Sequence, residues 1–192
     1  AKTEMNNSFS DYAERLSEIM SERNWDDVFK LAKGIREAWS LGKQVFICGN
    51  GGSAANAIHL ANDLLYGATD GYEPGIRVEA LSADPAVLTC LANDISYDEI
   101  YSKQLVSKGS VGDVLIVLSG SGNSQNVVRA LESANKLEMR TFAILGYSGG
   151  RCKEISNVVI HFPIKDMQIS EDLQLIVGHM CMQWLKENGR GS

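Results

Sequence analysis

The 192-residue sequence predicts a three-layer α/β/α fold, an open and mainly parallel sheet preceded by an amino-terminal helical pair. Three observations predict it. The runs QVFIC, VLIVL and TFAIL are apolar on consecutive residues, so both faces of each must be buried, as in a parallel sheet covered by helices. Each run ends in a Gly- or Ser-rich turn, and helical stretches follow the turns. Two amphipathic helical patterns precede them all.

In chain order, Phe9, Tyr12, Leu16 and Ile19, then Val28, Leu31, Ile35 and Trp39, recur every three to four residues and give the helical pair, residues 1–42. From residue 43 to residue 192 the pattern is that of an α/β core with a carboxy-terminal helix. QVFIC is a strand, GNGGS its turn, and a helix runs to about Tyr66. IRVEAL reads as another strand, and LTCLANDISYDEIYSKQL as a helical region. VLIVL leads through SGSGNS into a helix ending near Leu137; TFAIL leads into GYSGG; NVVIHF is a later strand. SEDLQLIVGHMCMQWL closes the chain as a helix with Leu173, Ile176, Val177, Met180 and Leu185 as its buried stripe. No repeat and no Pro-, Gly- or Ser-rich linker divides the chain, so a single domain over 1–192 is expected.

Composition narrows the function. A 44% hydrophobic content supplies one substantial core. Eighteen Lys and Arg against 24 Asp and Glu leave a formal charge of −6, which gives no electrostatic footprint for nucleic acid or an anionic membrane. An anionic ligand must be captured locally. Cys48, Cys90, Cys152 and Cys181 form no CxxC pair and read as reduced, mostly buried thiols. No apolar run approaches the roughly 20 residues of a membrane span, and AKTEMNNSFS lacks the apolar region of a secretory signal, so a cytoplasmic location is expected.

In open parallel sheets, ligands sit beyond the carboxyl ends of the strands, where GNGGS and SGSGNS fall. SGSGNS offers Ser119, Ser121 and Ser124 hydroxyls, glycines including Gly120 that let backbone approach a ligand, and unpaired N–H groups at a helix start. That is a phosphate cradle without a charged residue, and it lacks both the Walker lysine and the GxGxxG spacing. GNGGS, with Asn50, Gly51, Gly52 and Ser53, could present donors to hydroxyls or a carbonyl oxygen. In the helix it opens, His59 and Asp63 stand four residues apart on one face, a spacing that suits a divalent metal, an acid–base pair, or only a surface hydrogen bond. The last helix carries Glu171, Asp172, Gln174 and His179 as polar residues among apolar ones. Glu171 and His179 are separated by about 12 Å of axial rise, and Asp172 lies closer to His179 in angle. Asn93 and Asp94 could cap a helix or reach a ligand. His161, at a strand end, reads as a structural residue.

Together GNGGSAANAIH, LTCLANDISYDEIYSKQL, GDVLIVLSGSGNSQNVVRAL, ILGYSGG and a last helix with His179 resemble the sugar isomerase (SIS) domain family, whose sheet is flavodoxin-like. More narrowly they are similar to phosphoheptose isomerases, from about Ser10 to Trp184. The resemblance implies aldose–ketose isomerisation of sedoheptulose 7-phosphate to D-glycero-D-manno-heptose 7-phosphate through an enediolate, feeding ADP-heptose and lipopolysaccharide or other heptose-glycan synthesis. It implies that Ser53, Ser119, Ser121 and Ser124 hold phosphate, that Asn50, Gly51 and Gly52 line the sugar, and that Asn93 and Asp94 lie near its hydroxyls. It implies one zinc per subunit on His59, Asp63, Glu171 and His179, with Asp63 as base and His179 as acid, and a homotetramer with shared active sites. Apolar faces in excess of what one sheet must cover agree with subunit burial.

Relatives usually carry Glu at the Asp63 position, Gln at Glu171 and often Thr at Gly120. Asp is one methylene shorter, which sets its carboxylate back by about 1–1.5 Å. Glu171 adds charge that favours a cation. Two rival expectations follow: a non-catalytic adaptor for the bacterial replication initiator, as in another branch of the family, or an isomerase or sensor of a different sugar phosphate.

Overall fold

A computed structural model describes residues 2–191. Helices α1 (Lys2–Ser21) and α2 (Asp26–Ser40) lead into β1 (Val45–Gly49), α3 (Gly52–Asn62), a π-helical turn (Asp63–Gly67) and β2 (Val78–Ala80). Then come α4 (Pro85–Asp94), a 3₁₀ turn (Tyr97–Glu99), α5 (Ser102–Lys108), β3 (Val114–Ser119), α6 (Gln125–Lys136), β4 (Arg140–Leu145), α7 (Gly150–Ile155), β5 (Val158–His161) and α8 (Met167–Asn188). The five strands form one parallel sheet in the order β2-β1-β3-β4-β5.

The consecutive apolar runs behave as expected, because strand alternation sends neighbouring residues to opposite cores. Val45, Ile47, Ile116, Leu118, Phe142 and Ile144 pack with α2, α3 and α8 on one face. Phe46, Cys48, Leu115, Val117, Ala143 and Leu145 pack with α5, α6 and α7 on the other. All residues of β1 and β3 are buried.

Three local expectations change. The IRVEAL strand shrinks to three residues at the sheet edge, paired only with β1. LTCLANDISYDEIYSKQL is split into α4, the 3₁₀ turn and α5; Asp84 caps α4 through the Ala86 and Val87 amides, and α4 ends at Asp94 with no residue fully buried. Phe9 lies outside the packed stripe at 68% exposure, whereas Tyr12, Leu16 and Ile19 pack against the core. Cys48, Cys152 and Cys181 are buried free thiols and Cys90 an exposed one. Burial pushes the Cys152 and Cys181 thiols up to about 12, so they stay protonated and inert. Among the described residues no helix is long and apolar enough to cross a membrane.

Candidate active site

Strands β1 and β3 are adjacent and in register, Gly49 opposite Leu118, so the turns that follow them emerge side by side. In the second turn, Ser119 Oγ accepts the Gly122 amide at 2.9 Å and Ser121 Oγ accepts the Asn123 amide at 3.2 Å. Gly122 holds φ at +70°, and a Cβ there would overlap the Gly149 carbonyl oxygen. The Gly122 carbonyl in turn accepts the Cys152 amide at 2.9 Å, and Asn123 Oδ1 accepts the Arg151 amide at 2.9 Å. The turn is thus locked to its neighbour beyond β4. Ser124 precedes α6 but makes no side-chain cap, which leaves its hydroxyl available beside the first amides of the helix. A Cβ on Gly120 would meet Met167 Sδ at 2.5 Å, so a larger residue there requires Met167 to move.

The first turn is held differently. Gly51 has φ +56° and Gly52 opens α3. Asn50 Nδ2 donates to Asn126 Oδ1 at 2.8 Å, and Asn126 Nδ2 donates to Asn50 Oδ1 at 2.8 Å. Tyr97 OH also donates to Asn50 Oδ1, at 3.2 Å, and Tyr101 OH donates to the Gly49 carbonyl. Ser53 is buried, its amide donating to the Asn50 carbonyl at 2.9 Å. Asn50 and Gly51 border a cavity of about 260 Å³, closed on one side by Leu88, Thr89 and Ala92 of α4. Asn93 and Asp94 do not line it. They are exposed at the end of α4, Asn93 Nδ2 donating to Asp94 Oδ1 at 2.9 Å.

Helices α3 and α8 pack closely, Leu60 lying directly on Gly178, where a side chain would collide with it. This approach places His179 beside His59 and Asp63. Asp63 Oδ2 lies 3.3 Å from His59 Nε2 and 3.0 Å from His179 Nε2, and the two Nε2 atoms are 3.4 Å apart. Asp63 stands at the start of the π-helical turn, a local widening of the helix often found at functional sites. Its Oδ2 is buried without a hydrogen bond of good geometry. Three lone-pair atoms around one point match the edges of a coordination tetrahedron, which measure about 3.3 Å for bonds of roughly 2.05 Å. The donor set, two imidazole nitrogens and a carboxylate oxygen, suits a divalent first-row cation, and these three residues form a group that could bind one.

Glu171, the fourth ligand implied by the resemblance, is not in this group. Its carboxylate lies against Gly52 at the start of α3, on the space a Cβ of Gly52 would fill. Asp172 is also elsewhere: Tyr12 OH donates to its Oδ2, which pushes the Tyr12 hydroxyl up to about 12. Asp166 caps α8 through the Ile169 amide at 3.0 Å and pairs with Arg15 at 2.6 Å, so α1 clasps the start of the helix that carries His179. His161 Nε2 contacts the Tyr147 carbonyl at 2.8 Å, in keeping with a structural role. The residues sequence reasoning missed are Asn126, Tyr97 and Tyr101. The apolar pair Val127 and Val128 directly after Asn126 is the one sequence signal beside the first of them, and its burial shows only in the structure.

The family model for the SIS domain matches residues 8–146. A phosphoheptose isomerase of Chlorobaculum parvum is 38% identical over 176 residues, 90% of this chain and 83% of that protein. One from Akkermansia muciniphila is 36% identical over 157 residues, 82% of each. The structure of phosphoheptose isomerase from Neisseria gonorrhoeae superposes with a TM-score of 0.89 at 25% identity, over 97% of this chain and 100% of that one.

Proposed function

The chain belongs to the SIS domain family, and on that premise we propose that it is a phosphoheptose isomerase, interconverting sedoheptulose 7-phosphate and D-glycero-D-manno-heptose 7-phosphate. The observation that carries this reading is the convergence of His59, Asp63 and His179, drawn from helices more than a hundred residues apart, alongside two ligand-type turns.

The phosphate sits on Ser119, Ser121, Ser124 and the free amides at the start of α6, with Ser53 opposite. A neutral cradle of this kind binds a dianion through hydroxyl donors and a helix terminus. The sugar lies over Asn50, Gly51 and Gly52, with Glu171 at its edge. The base Asp63 takes a proton from the carbon beside the carbonyl, and the acid His179 returns one to the neighbouring carbon of the enediolate. Positioned proton transfer of this sort contributes about 10²–10⁴-fold. His59, Asp63 and His179 would hold zinc, which when bound would supply Lewis-acid stabilisation of the enediolate oxygens; Asp63 and His179 move protons only once substrate has loosened them as ligands.

A homotetramer with shared sites is part of the same reading. Ile58, Leu65 and Tyr66 are exposed around His59 and Asp63, and α4, which carries Asn93 and Asp94, buries nothing fully within the chain. A neighbouring subunit that covers these faces would bring further groups to the site. The cytoplasm is the location this substrate implies.

Incubation with sedoheptulose 7-phosphate in deuterated water tests the proposal. The expected result is an aldose 7-phosphate carrying one deuterium on the former carbonyl carbon. Absence of both product and carbon-bound exchange, in protein that contains metal, would overturn it and favour the adaptor.

A further inference from the structure

Asn126 sits in the first turn of α6 at 1% exposure, and its amide gives one N–H to Asn50 and accepts one from it, in a reciprocal pair. A primary amide has two acceptor lone pairs and two N–H groups. Asn50 Oδ1 receives Asn126 Nδ2 at 2.8 Å and Tyr97 OH at 3.2 Å, which uses both lone pairs. One Nδ2–H is spent on Asn126, and the Asn50 main-chain carbonyl is spent on the Ser53 amide. What remains on the side chain is a single N–H, on a residue that borders the cavity between β1 and α4. Asn50 can therefore donate to a ligand there and cannot accept from one.

We propose that Asn126 is a positioning residue that locks Asn50 as a one-proton donor to the substrate oxygen on which negative charge develops. This rests on the isomerase reading for the identity of that oxygen. Without the lock, the Asn50 amide is free to turn over and present its oxygen, which would repel an enediolate instead of stabilising it. A donor aimed in advance at a developing oxyanion is the arrangement that lowers a barrier without tightening ground-state binding. Because the pair also ties the turn after β1 to the helix after β3, the donor is held at a fixed place relative to the phosphate cradle.

The test is a double-mutant cycle in the intact protein. Asn126→Leu keeps the branched shape and removes the amide. It should lower kcat by about 10–100-fold, approaching the loss seen when one oxyanion donor is removed, while KM and the inhibition constant of inorganic phosphate stay within about twofold. Asn50→Ala should do the same, and the double variant should be no slower than Asn50→Ala alone. Tyr97→Phe should cost only a few-fold. Losses that multiply in the double variant, or a phosphate constant that rises with the fall in kcat, would overturn the proposal. Should Asn126→Leu not fold, Asn126→Ala, which removes the amide without crowding the site, serves in its place. A readout that does not need turnover separates failure here from failure of the isomerase reading. In ¹⁵N-labelled protein the Asn50 side-chain N–H that donates to Asn126 should be protected from solvent exchange and lose that protection in either Asn126 variant. Free exchange in the unmutated protein would sink the idea whatever reaction the enzyme catalyses.

Discussion

The turns after β1 and β3 do the same topological job and are stabilised by different means. SGSGNS is held by its own hydroxyls and backbone and by the turn that follows β4: Ser119 and Ser121 accept amides three and two residues ahead, respectively, and Gly122 packs on Gly149. GNGGS is held by side chains from distant elements, Asn126 on α6 and Tyr97 and Tyr101 beyond α4, with the Glu171 carboxylate of α8 lying against Gly52. The difference teaches that two turns in one topological position can draw their support from different places, one from itself and the adjoining turn, the other from elements spread along the chain.

The largest expected effect is on the assembled side. His179→Ala removes the proposed acid and one third of the metal-binding group; kcat should fall by about 10³–10⁴-fold, with bound metal lost in parallel by elemental analysis. Retained activity would mean the chemistry lies elsewhere in the site. Next comes one substitution made in both turns. Gly122→Ala forces a side chain to positive φ and onto a carbonyl, and should cost about 3 kcal/mol of stability. Gly52→Ala first meets the movable end of Glu171. It should cost under about 1 kcal/mol and appear instead as lost kcat/KM, so thermal melts and kinetics rank the two variants in opposite orders. Equal melting temperatures would break the comparison.

Ser124→Ala should raise KM by about tenfold with kcat nearly unchanged, since a phosphate contact far from the reacting carbons binds ground and transition states alike. The smallest effect lies at the start of α8. The Ile169 amide first, and then Arg15, holds the Asp166 carboxyl below its ordinary value. A depressed carboxyl stabilises the fold above the ordinary carboxylate range and loses that contribution as pH falls through the lowered value. Asp166→Asn should therefore lower stability slightly at neutral pH and make it less sensitive to acid below about pH 4, as read by chemical denaturation across pH.

Much of the fold was legible because its signals are local and repeated. Runs such as VLIVL have no polar face to leave in water, and only a sheet covered on both sides buries them. The 3.6-residue period of α2 and the Ser-Gly turn before α6 are equally direct. The His59 and Asp63 spacing was visible too, but it could not be told from an ordinary surface pair until Gly178 let α8 approach Leu60 and set His179 beside them. Glu171 shows the limit from the other side. Eight residues from His179 on a straight helix, it reaches the opening of α3 and leaves the cation-sized group to three residues. Asn126 was passed over because an Asn in a first helical turn ordinarily faces solvent, and nothing nearby in sequence says that Asn50 will meet it.

The sequence by itself determined what short-range physics can determine: the layers, the parallel strands and the Ser-Gly turn after β3. Only the tertiary structure decided which polar side chains meet. It paired Asn50 with Asn126 and gave Asp172 to Tyr12, and it brought together His59, Asp63 and His179 while leaving Glu171 apart. The physical reason is that hydrophobic burial depends on residue class and is written along the chain, whereas a hydrogen bond or a ligand set depends on distances of a few tenths of an ångström that emerge only when helices far apart in sequence pack together.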